Sequence, residues 1–530
     1  MKLRVLGFVL LVTPCFAQEI RERETYGALK NRQITADKLP ATKYLQDHIV
    51  NGKLRLSLQD AIISTLMNNT DVRLQELNVE NSKFSLLRAH SPFDPSVLGS
   101  FNALREVSPA NSQLQGAATP NFLTQTTQAN YNQSFETGTN VLVGFNSTRL
   151  STNNANNFIN PSISSALNFQ ITQPLLRNRW LFANRAPLVI ARRNLRISRA
   201  NFEAQVSNSI LNVVSQYWNV VETRGNLDVA QKSQDAAEAS YKRDKRALEL
   251  GALPPLDIYR SESQLASRRV FTIQSEYELK QAEDQLRITL GTMTDPFLRA
   301  LDLELTELPA HDEELLSIDQ ETALKEALEG RPEMEAQRQA LANDDTSIRF
   351  AHNDLLPDLR LQANYSGNGL SGSPGGGFGD SLNQVFGFGF PSYGMTLSLN
   401  LPIRNRAAQA DLGTALVSRR HDLYSDRQLR EQIALEVSNA VHLLEQAKLS
   451  LAASQEALDL SKKNLTAEQR KHELGSETVF FVLEAQTEAA QAESSVLQAQ
   501  VAYQLAVVAM QHATGKLLQP YRIQINELTR

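Results

Sequence analysis

The chain repeats its own plan once, and this repeat constrains the fold more than any other feature. Ala-His at 89–90 recurs at 351–352, which is 262 positions later. Glu-Leu-Gly at 249–251 recurs at 473–475, which is 224 positions later. Self-similarity over such distances indicates two structural copies of one unit. The smaller second offset means that the first copy carries an insertion between its two anchors.

Each copy has the same order of elements: a helix, strand-like sequence, a very long helix, a glycine turn and a return helix. At a rise of ~1.5 Å per residue, each long helix spans roughly 100 Å, a length that no compact globular domain needs. The predicted boundaries are first helices at 57–90 and 319–355, long helices at 182–250 and 405–474, and return helices at 257–291 and 479–514.

The long helices carry seven-residue rows of apolar and small side chains. Such spacing, sustained over several turns, is typical of supercoiled helices. The small residues between the apolar ones predict close approach of neighbouring backbones. In the second copy the rows are Val437, Leu444, Leu451, Leu458 and Leu465, interleaved with Ala440, Ala447, Ser454 and Ser461. The return helix has Val482, Ala489, Val496, Tyr503 and Met510, interleaved with Ala485, Ala492, Ala499 and Ala506.

Strict apolar–polar alternation predicts β-strands near 163–172, 359–365 and 393–401. About ten residues of such alternation suit a strand that faces lipid on one side and water on the other. A soluble sheet with one wet face gives the same pattern. The insertion in the first copy contains an extra hairpin near 128–148, which either joins the same sheet or projects from it. Loops are expected at 151–161 and 367–391, because these segments are rich in Asn and in Gly and Ser respectively.

The first 17 residues are predicted to be a secretory signal, with Lys2 and Arg4 before an apolar run that is too short to span a bilayer. Cys15 is the only cysteine, so the mature chain would have no disulfide, no thiol chemistry and no cysteine-ligated metal. Whether Cys15 carries lipid stays open. No run of 18 apolar residues occurs, so a membrane location would require a barrel.

Composition and motifs argue against nucleic-acid binding and catalysis. The full chain has a net charge of −5, and loss of the two signal cations would make it −7, whereas nucleic-acid binding favours a basic face. The eight histidines show no metal-ligand spacing, and no nucleophile elbow, phosphate loop or zinc helix is present. We therefore expect neither an enzyme nor a cofactor nor a metal site.

Several short motifs, taken in order, resemble the outer-membrane efflux family typified by TolC. They extend over most of the chain, from about residue 56 to residue 517. They are Arg-Pro-Glu at 331–333, Leu-Leu-Pro-Asp-Leu at 355–359, Gln-Pro-Leu-Leu at 173–176, Leu-Pro-Ile at 401–403, and Leu-Gly at 474–475 before Val-Leu-Glu-Ala-Gln at 482–486.

The resemblance implies an α+β membrane protein: a homotrimer in which each chain gives four strands to one 12-stranded barrel, continued by a helical coiled-coil barrel in the periplasm. It also implies a Gram-negative outer-membrane location, a periplasmic adaptor protein and an inner-membrane pump as partners. Four strands cannot close a barrel alone, so oligomerisation is required. The corresponding division is a signal at 1–17, a periplasmic segment at 18–55, repeats at 56–317 and 318–517, and a tail at 518–530.

The same resemblance assigns the two glycine turns to the periplasmic tip. Adaptor hairpins would pack near Leu250-Gly251 and Leu474-Gly475, where each glycine can equally be a helix C-cap. Asp257 matches a tip aspartate involved in closing the channel.

The second copy departs from the family pattern, and this departure puts the usual closing salt bridges in doubt. Phe481 and Glu484 stand where the family has gate aspartates, and Glu477 and His472 replace its arginine and tyrosine.

Two functions follow from the sequence. The first is an exit duct of a tripartite efflux or type I secretion system, a passive channel for export. The second is a structural coiled-coil tether of the envelope, whose strands build only a soluble β domain. The sequence does not identify the exported cargo, the pump or the adaptor.

Overall fold

The computed structural model describes residues 45–110, 116–250, 255–307, 319–474, 476 and 478–523. The expected signal at 1–17, and with it Cys15, lies outside the described residues.

Nine strands and ten α-helices are present in the described part of the chain. The strands are β1 (Ile49–Val50), β2 (Lys53–Leu56), β3 (Ser96–Val107), β4 (Asn121–Ser134), β5 (Asn140–Thr152), β6 (Ser162–Pro174), β7 (Asp302–Leu305), β8 (Asp358–Gly372) and β9 (Phe390–Asn400). The helices are α1 (Leu58–Asn68), α2 (Thr70–His90), α3 (Trp180–Glu249), α4 (Pro255–Thr289), α5 (Pro296–Arg299), α6 (Gln320–Gly330), α7 (Pro332–Asp354), α8 (Phe378–Phe386), α9 (Arg406–Glu473) and α10 (Val479–Ala513).

The long helices α3 and α9 have 70 and 68 residues, and α4 and α10 return from them with 35 residues each. The first helix of each copy was expected to be continuous but is broken into two. Asn69 ends α1 in an extended conformation, and its side-chain oxygen accepts a hydrogen bond from the backbone N–H of Asp71 at 2.9 Å. In the second copy the break lies at Arg331, because Pro332 cannot continue a helix and instead begins α7.

The chain forms two compact units. One contains residues 1–76, 205–324 and 436–530, and the other contains residues 77–204 and 325–435. In the described part of the chain, no helix is both long enough and apolar enough to span a membrane.

The second unit is built on one antiparallel sheet of six strands, in the order β3-β4-β5-β6-β8-β9. The sheet therefore has two strands more than the four per chain that the family resemblance implied. The extra hairpin does not project from the sheet: its strands β4 and β5 pair with each other and, on either side, with β3 and β6. Each of these pairings runs over at least 11 residue pairs, because all the strands are of similar length.

The two faces of the sheet differ in chemistry, as the predicted alternation requires. One continuous cross-strand row is apolar or aromatic on every strand and defines the apolar face. It consists of Val97, Tyr131, Val143, Phe169, Tyr365 and Tyr393. The adjacent row lies on the opposite face, because the side-chain period of a strand is two. It is mostly polar and consists of Leu98, Asn130, Gly144, Asn168, Ser366 and Ser392.

The segment expected to be a loop at 367–391 contains a helix. β8 continues to Gly372, and α8 begins directly after Gly377, whose N–H donates to Asp380 at 2.8 Å. The helix packs onto glycines of β8, where an added Cβ at Gly369 would clash with the backbone oxygen of Ser381. These glycines let the helix backbone approach the strand closely, which glycine composition alone did not reveal.

The first unit contains residues 205–249 of α3 and 436–473 of α9 together with the return helices α4 and α10. On α10 the predicted rows are buried at Val482, Ala489, Val496 and Tyr503. A three-stranded sheet, β1-β2-β7, joins the same unit. Buried Tyr217 links helix and sheet, because its hydroxyl donates to the backbone oxygen of Leu56 at 3.3 Å and accepts from the N–H of Glu307 at 3.2 Å.

Candidate functional site

The polar face of the six-stranded sheet is a candidate solute-contacting surface. Its central positions carry Asn, Gln, Ser and Thr, which bond to one another across strands. Asn140 Nδ2 donates to Asn132 Oδ1 at 2.9 Å, and Thr126 and Thr148 are joined at 3.4 Å. Charges occur only near the strand ends, as at Arg360. Such a face can hydrogen-bond to water and to polar solutes without selecting strongly for charge.

The turn between β4 and β5 is fixed to the beginning of α3. Glu136 forms an ion pair with Arg185, and Thr139 Oγ1 donates to Gln173 Oε1 at 2.5 Å. Gly138 has a φ of +83°, and an added Cβ there would lie 2.7 Å from the backbone oxygen of Asn178. The hairpin is therefore an integral part of the sheet and of its connection to the helices.

The two predicted docking turns share an exposed leucine. Leu250 is 80% exposed and Leu474 is 73% exposed, each directly after a long helix. Their backbone N–H groups donate to the backbone oxygens of Arg246 and Arg470 respectively, both at 3.1 Å. Gly251 and Gly475 lie outside the described residues. Two large apolar side chains at helix ends have no partner in their own chain's core, which suits a contact surface.

The predicted closure residues Phe481 and Glu484 lie one turn apart on α10. Phe481 is 44% exposed, and its ring meets that of Phe480 edge-on at 5.4 Å between centroids. Phe481 therefore contacts Phe480 on its own helix, while much of its ring stays accessible. Asp257 lies on α4, and its side chain is outside the described part.

Glu484 borders a groove of about 610 Å³ between α9 and α10. Ser454 and Ser461 line one side of this groove, and Thr487 and Glu488 continue the α10 side. Sequence reasoning placed the two serines in a packing row and did not associate them with Glu484. Their spacing of seven residues was the available signal, because it puts both on the same side of α9.

A carboxylate cluster in the other unit was also missed. Asp344 on α7 lies beside Asp422 of α9, while neighbouring Asp345 is bound by Arg419 at 2.7 Å. Burial and the nearby charge of Asp422 raise the pKa of Asp344 to about 6. Within the described residues, no group of three or more His, Cys, Asp or Glu side chains could hold a metal ion.

The two-copy plan, the long helix pairs and the sheet with one apolar face agree with the fold that the family resemblance implied. A sequence model described as "Outer membrane efflux protein" matches residues 139–292 and 323–516, about two thirds of the chain. The chain belongs to this family, and it is an outer-membrane protein of the Gram-negative type with a periplasmic extension. The matched part begins at residue 139, after β3 and β4.

Solved structures of outer-membrane channels share the fold. The CmeC channel of Campylobacter jejuni is 15% identical, with a TM-score of 0.63 over 93% of this chain and 92% of that one. VceC of Vibrio cholerae is 13% identical, with a TM-score of 0.62 over 90% and 99%. MtrE of Neisseria gonorrhoeae, solved in an open state, is 19% identical, with a TM-score of 0.58 over 87% and 89%. No curated protein sequence matches the chain significantly.

The carboxylate cluster predicts a pH-dependent stability. A carboxyl group whose pKa is raised on folding stabilises the folded state below its unfolded pKa, near 3.8, and this contribution is lost as the pH rises through about 6. Asp344→Asn should therefore unfold at a higher temperature than the natural chain at pH 7.5, with a smaller gain at pH 4.5. Circular dichroism of the detergent-solubilised protein measures both midpoints.

The control is Asp345→Asn, which removes the ion pair with Arg419 together with a charge that itself raises the pKa of Asp344, and it should gain less than Asp344→Asn at pH 7.5. Equal midpoints of Asp344→Asn and the natural chain at pH 7.5 would contradict the prediction.

Proposed function

We propose that the chain is one protomer of a trimeric exit duct, a passive channel that carries cargo from an inner-membrane pump to the cell exterior. The observation that carries this proposal is the open sheet, which has one apolar face and two edges that pair with no other strand of the described residues. β3 and β9 are the edges, and each is exposed along its whole length. Unpaired backbone groups cannot lie in a bilayer, so a lipid-exposed sheet must close on further copies.

Exposed apolar side chains support a lipid-facing sheet over the alternative of a soluble tether. Phe101 is 66% exposed, Met395 is 72% exposed and Leu397 is 63% exposed, all on the apolar face. A soluble sheet would bury such a face against another layer, whereas lipid solvates it at no cost.

The helices also present surfaces that suit other copies. Val270, Ile273 and Tyr277 are exposed on one face of α4, and Leu449 and Leu460 are exposed three turns apart on one face of α9. A helix that packs against its own chain on one side and against another copy on the other side needs a second row of apolar side chains such as these. We infer that three copies pack their helices side by side around a central space in the periplasm.

We propose that the ends of α3 and α9, at the two glycine turns, are the docking site for a periplasmic adaptor protein. Leu250 and Leu474 are strongly exposed there, and each precedes a glycine, Gly251 or Gly475. An adaptor hairpin with small and apolar side chains would cover both leucines and approach the glycine backbones closely.

The closure site is proposed to be built from Phe481, Glu484 and Asp257. Three copies of Phe481 near an axis would form a hydrophobic constriction that closes by dewetting. One turn away, three copies of Glu484 would form an acidic ring that favours cations. The accessible ring of Phe481 and the exposed carboxylate of Glu484 support these roles.

The duct proposal predicts a detergent-stable trimer. One chain leaves both sheet edges unpaired, so the folded protomer should not persist alone in a membrane. Mass measurement of the purified detergent complex should give three chains per particle. Particles that contain one chain only would refute the trimer and, with it, the duct.

The docking proposal predicts that Gly475→Val abolishes export without dissociating the trimer, because a β-branched side chain would hold the adaptor away from the turn. Sensitivity to exported toxic compounds should rise to that of a strain without the channel. Gly413→Val is the matched control, since open space surrounds this glycine of α9. Normal resistance of the Gly475 variant would count against docking at the tip.

The closure proposal predicts two separable effects in planar bilayers. Phe481→Ala should raise single-channel conductance because the constriction widens, while Phe480→Ala, its ring neighbour, should change conductance less. Glu484→Gln should weaken cation selectivity with little effect on opening. Unchanged conductance of Phe481→Ala would shift the closure to Asp257 and its neighbours.

A further inference from the structure

We propose that β3 of one copy pairs antiparallel with β9 of the next, so that three copies of six strands close a barrel of eighteen strands. This inference rests on the trimer proposed above and replaces the twelve strands that the family resemblance implied. It commits both free edges of the sheet to one occupant, a second copy of the same chain.

The directions of the strands permit this closure. Every neighbouring pair in the sheet is antiparallel, so six strands in a row leave the first and last running in opposite directions. β3 of a second copy therefore meets β9 in the antiparallel arrangement that continues the sheet. The two edges also match in length, with 12 residues in β3 and 11 in β9. An odd number of strands per copy would have failed this test.

The stagger of the strands shows how the edges would align. Cross-strand pairs lead from Ser96, at the beginning of β3, to Gly394 of β9. β9 then continues six residues further, to Asn400, so the end of the sheet has shifted by six residues over five steps between strands. The intermediate pairs are Ser96 with Asn132, Asn132 with Leu142, Leu142 with Gln170, Gln170 with Asn364, and Asn364 with Gly394.

A sixth step, onto the next copy, adds to this stagger. The stagger summed over the six steps of one copy must be an even number of residues, because an odd number would place apolar side chains of one copy beside polar side chains of the next. The stagger per copy is therefore six or eight residues. With a rise of about 3.3 Å and a strand spacing of about 4.8 Å, eight residues over six strands correspond to a tilt of about 42°. Six residues correspond to about 35°, at the lower limit of the usual range of about 35–45°. We therefore infer a stagger of eight.

In this register, polar side chains of β3 lie opposite polar side chains of β9 of the next copy, and apolar side chains lie opposite apolar ones. Asn102 lies opposite Thr396, and both belong to the polar face. Phe101 lies opposite Leu397, and both belong to the apolar face, where such cross-strand pairs stabilise a sheet. The apolar band therefore runs unbroken around the closed barrel, and no unpaired edge remains in lipid.

The added width follows from the extra hairpin. Barrel diameter grows roughly linearly with strand number, so eighteen strands give a pore about 1.5 times as wide as twelve. Side chains fill small barrels, whereas barrels of about 16–18 strands hold an aqueous channel. The uncharged Asn, Gln, Ser and Thr of the polar face would line this channel, which suits bulky polar cargo of either charge. Of the two strands of the extra hairpin, β4 lies outside the part of the chain that matches the family, which begins at residue 139.

Disulfide crosslinking between copies tests the closure. The only natural cysteine is Cys15, in the expected signal, so a double variant contributes the only pair. Asn102→Cys with Thr396→Cys, oxidised in outer membranes, should migrate as covalent dimers and trimers on non-reducing gels. The matched control combines Asn102→Cys with Gln362→Cys. Gln362 is the cross-strand neighbour of Thr396 on β8 and lies one strand further from the interface. At that distance a disulfide cannot form, so roughly tenfold less crosslinking is expected.

A third variant pair separates the two strand numbers. If β3 and β4 stayed outside the barrel, β5 would meet β9 of the next copy and twelve strands would result. Asn146→Cys with Thr396→Cys would then crosslink copies instead.

The mass of the detergent complex, measured on the same variants, distinguishes failure of the eighteen-strand closure from failure of the proposed duct. A trimer that crosslinks through Asn146, or that fails to crosslink through Asn102 with Thr396, overturns the eighteen-strand closure alone. A complex that contains single chains overturns the proposed duct itself.

Discussion

If the six-stranded sheet lies in a membrane, as we propose, the backbone hydrogen bonds at its edges govern how the protein assembles. In water, an unpaired strand edge is solvated, but in a hydrocarbon layer each unpaired N–H or C=O costs several kcal/mol. β3 and β9 present such edges over 12 and 11 residues. Their combined cost would exceed the whole stability of an ordinary domain, which is about 5–15 kcal/mol. Under the proposed duct, closure with other copies would therefore be a condition for folding in the membrane.

The helices meet a different constraint, because water surrounds them and their own hydrogen bonds are satisfied internally. Their association depends on the side chains that face each other. On α9 the predicted row is fully buried at Val437 and Leu444 but only half-buried at Leu451, Leu458 and Leu465. A single chain therefore covers its helices well at one end and less well towards the turn. The less covered part is also where the proposed docking and closure residues lie, which suits a region that must rearrange.

The family relationship and the local departures from it have different physical meanings. The family fixes the architecture, since channels only 13–19% identical share the fold over 87–93% of this chain. The departures concern the charge of the residues at the proposed closure site and the number of strands in the sheet. At the proposed closure site, Phe481 and Glu484 stand where the family resemblance implies aspartates, so a hydrophobic barrier would supplement electrostatic contacts. The strands β4 and β5 are built into the sheet and fixed by the ion pair of Glu136 with Arg185, so the first copy no longer matches the second in strand number.

The sequence by itself determined the features that depend on periodicity. The repeat plan and the seven-residue rows predicted long helices, and alternation identified which strand face is apolar, because both patterns repeat over many residues. Only the tertiary structure decided where the extra hairpin belongs, because alternation specifies a strand but not its neighbours. It also decided that α8 seats on Gly367 and Gly369, and that Asp344 meets Asp422, since both depend on contacts between segments distant in sequence.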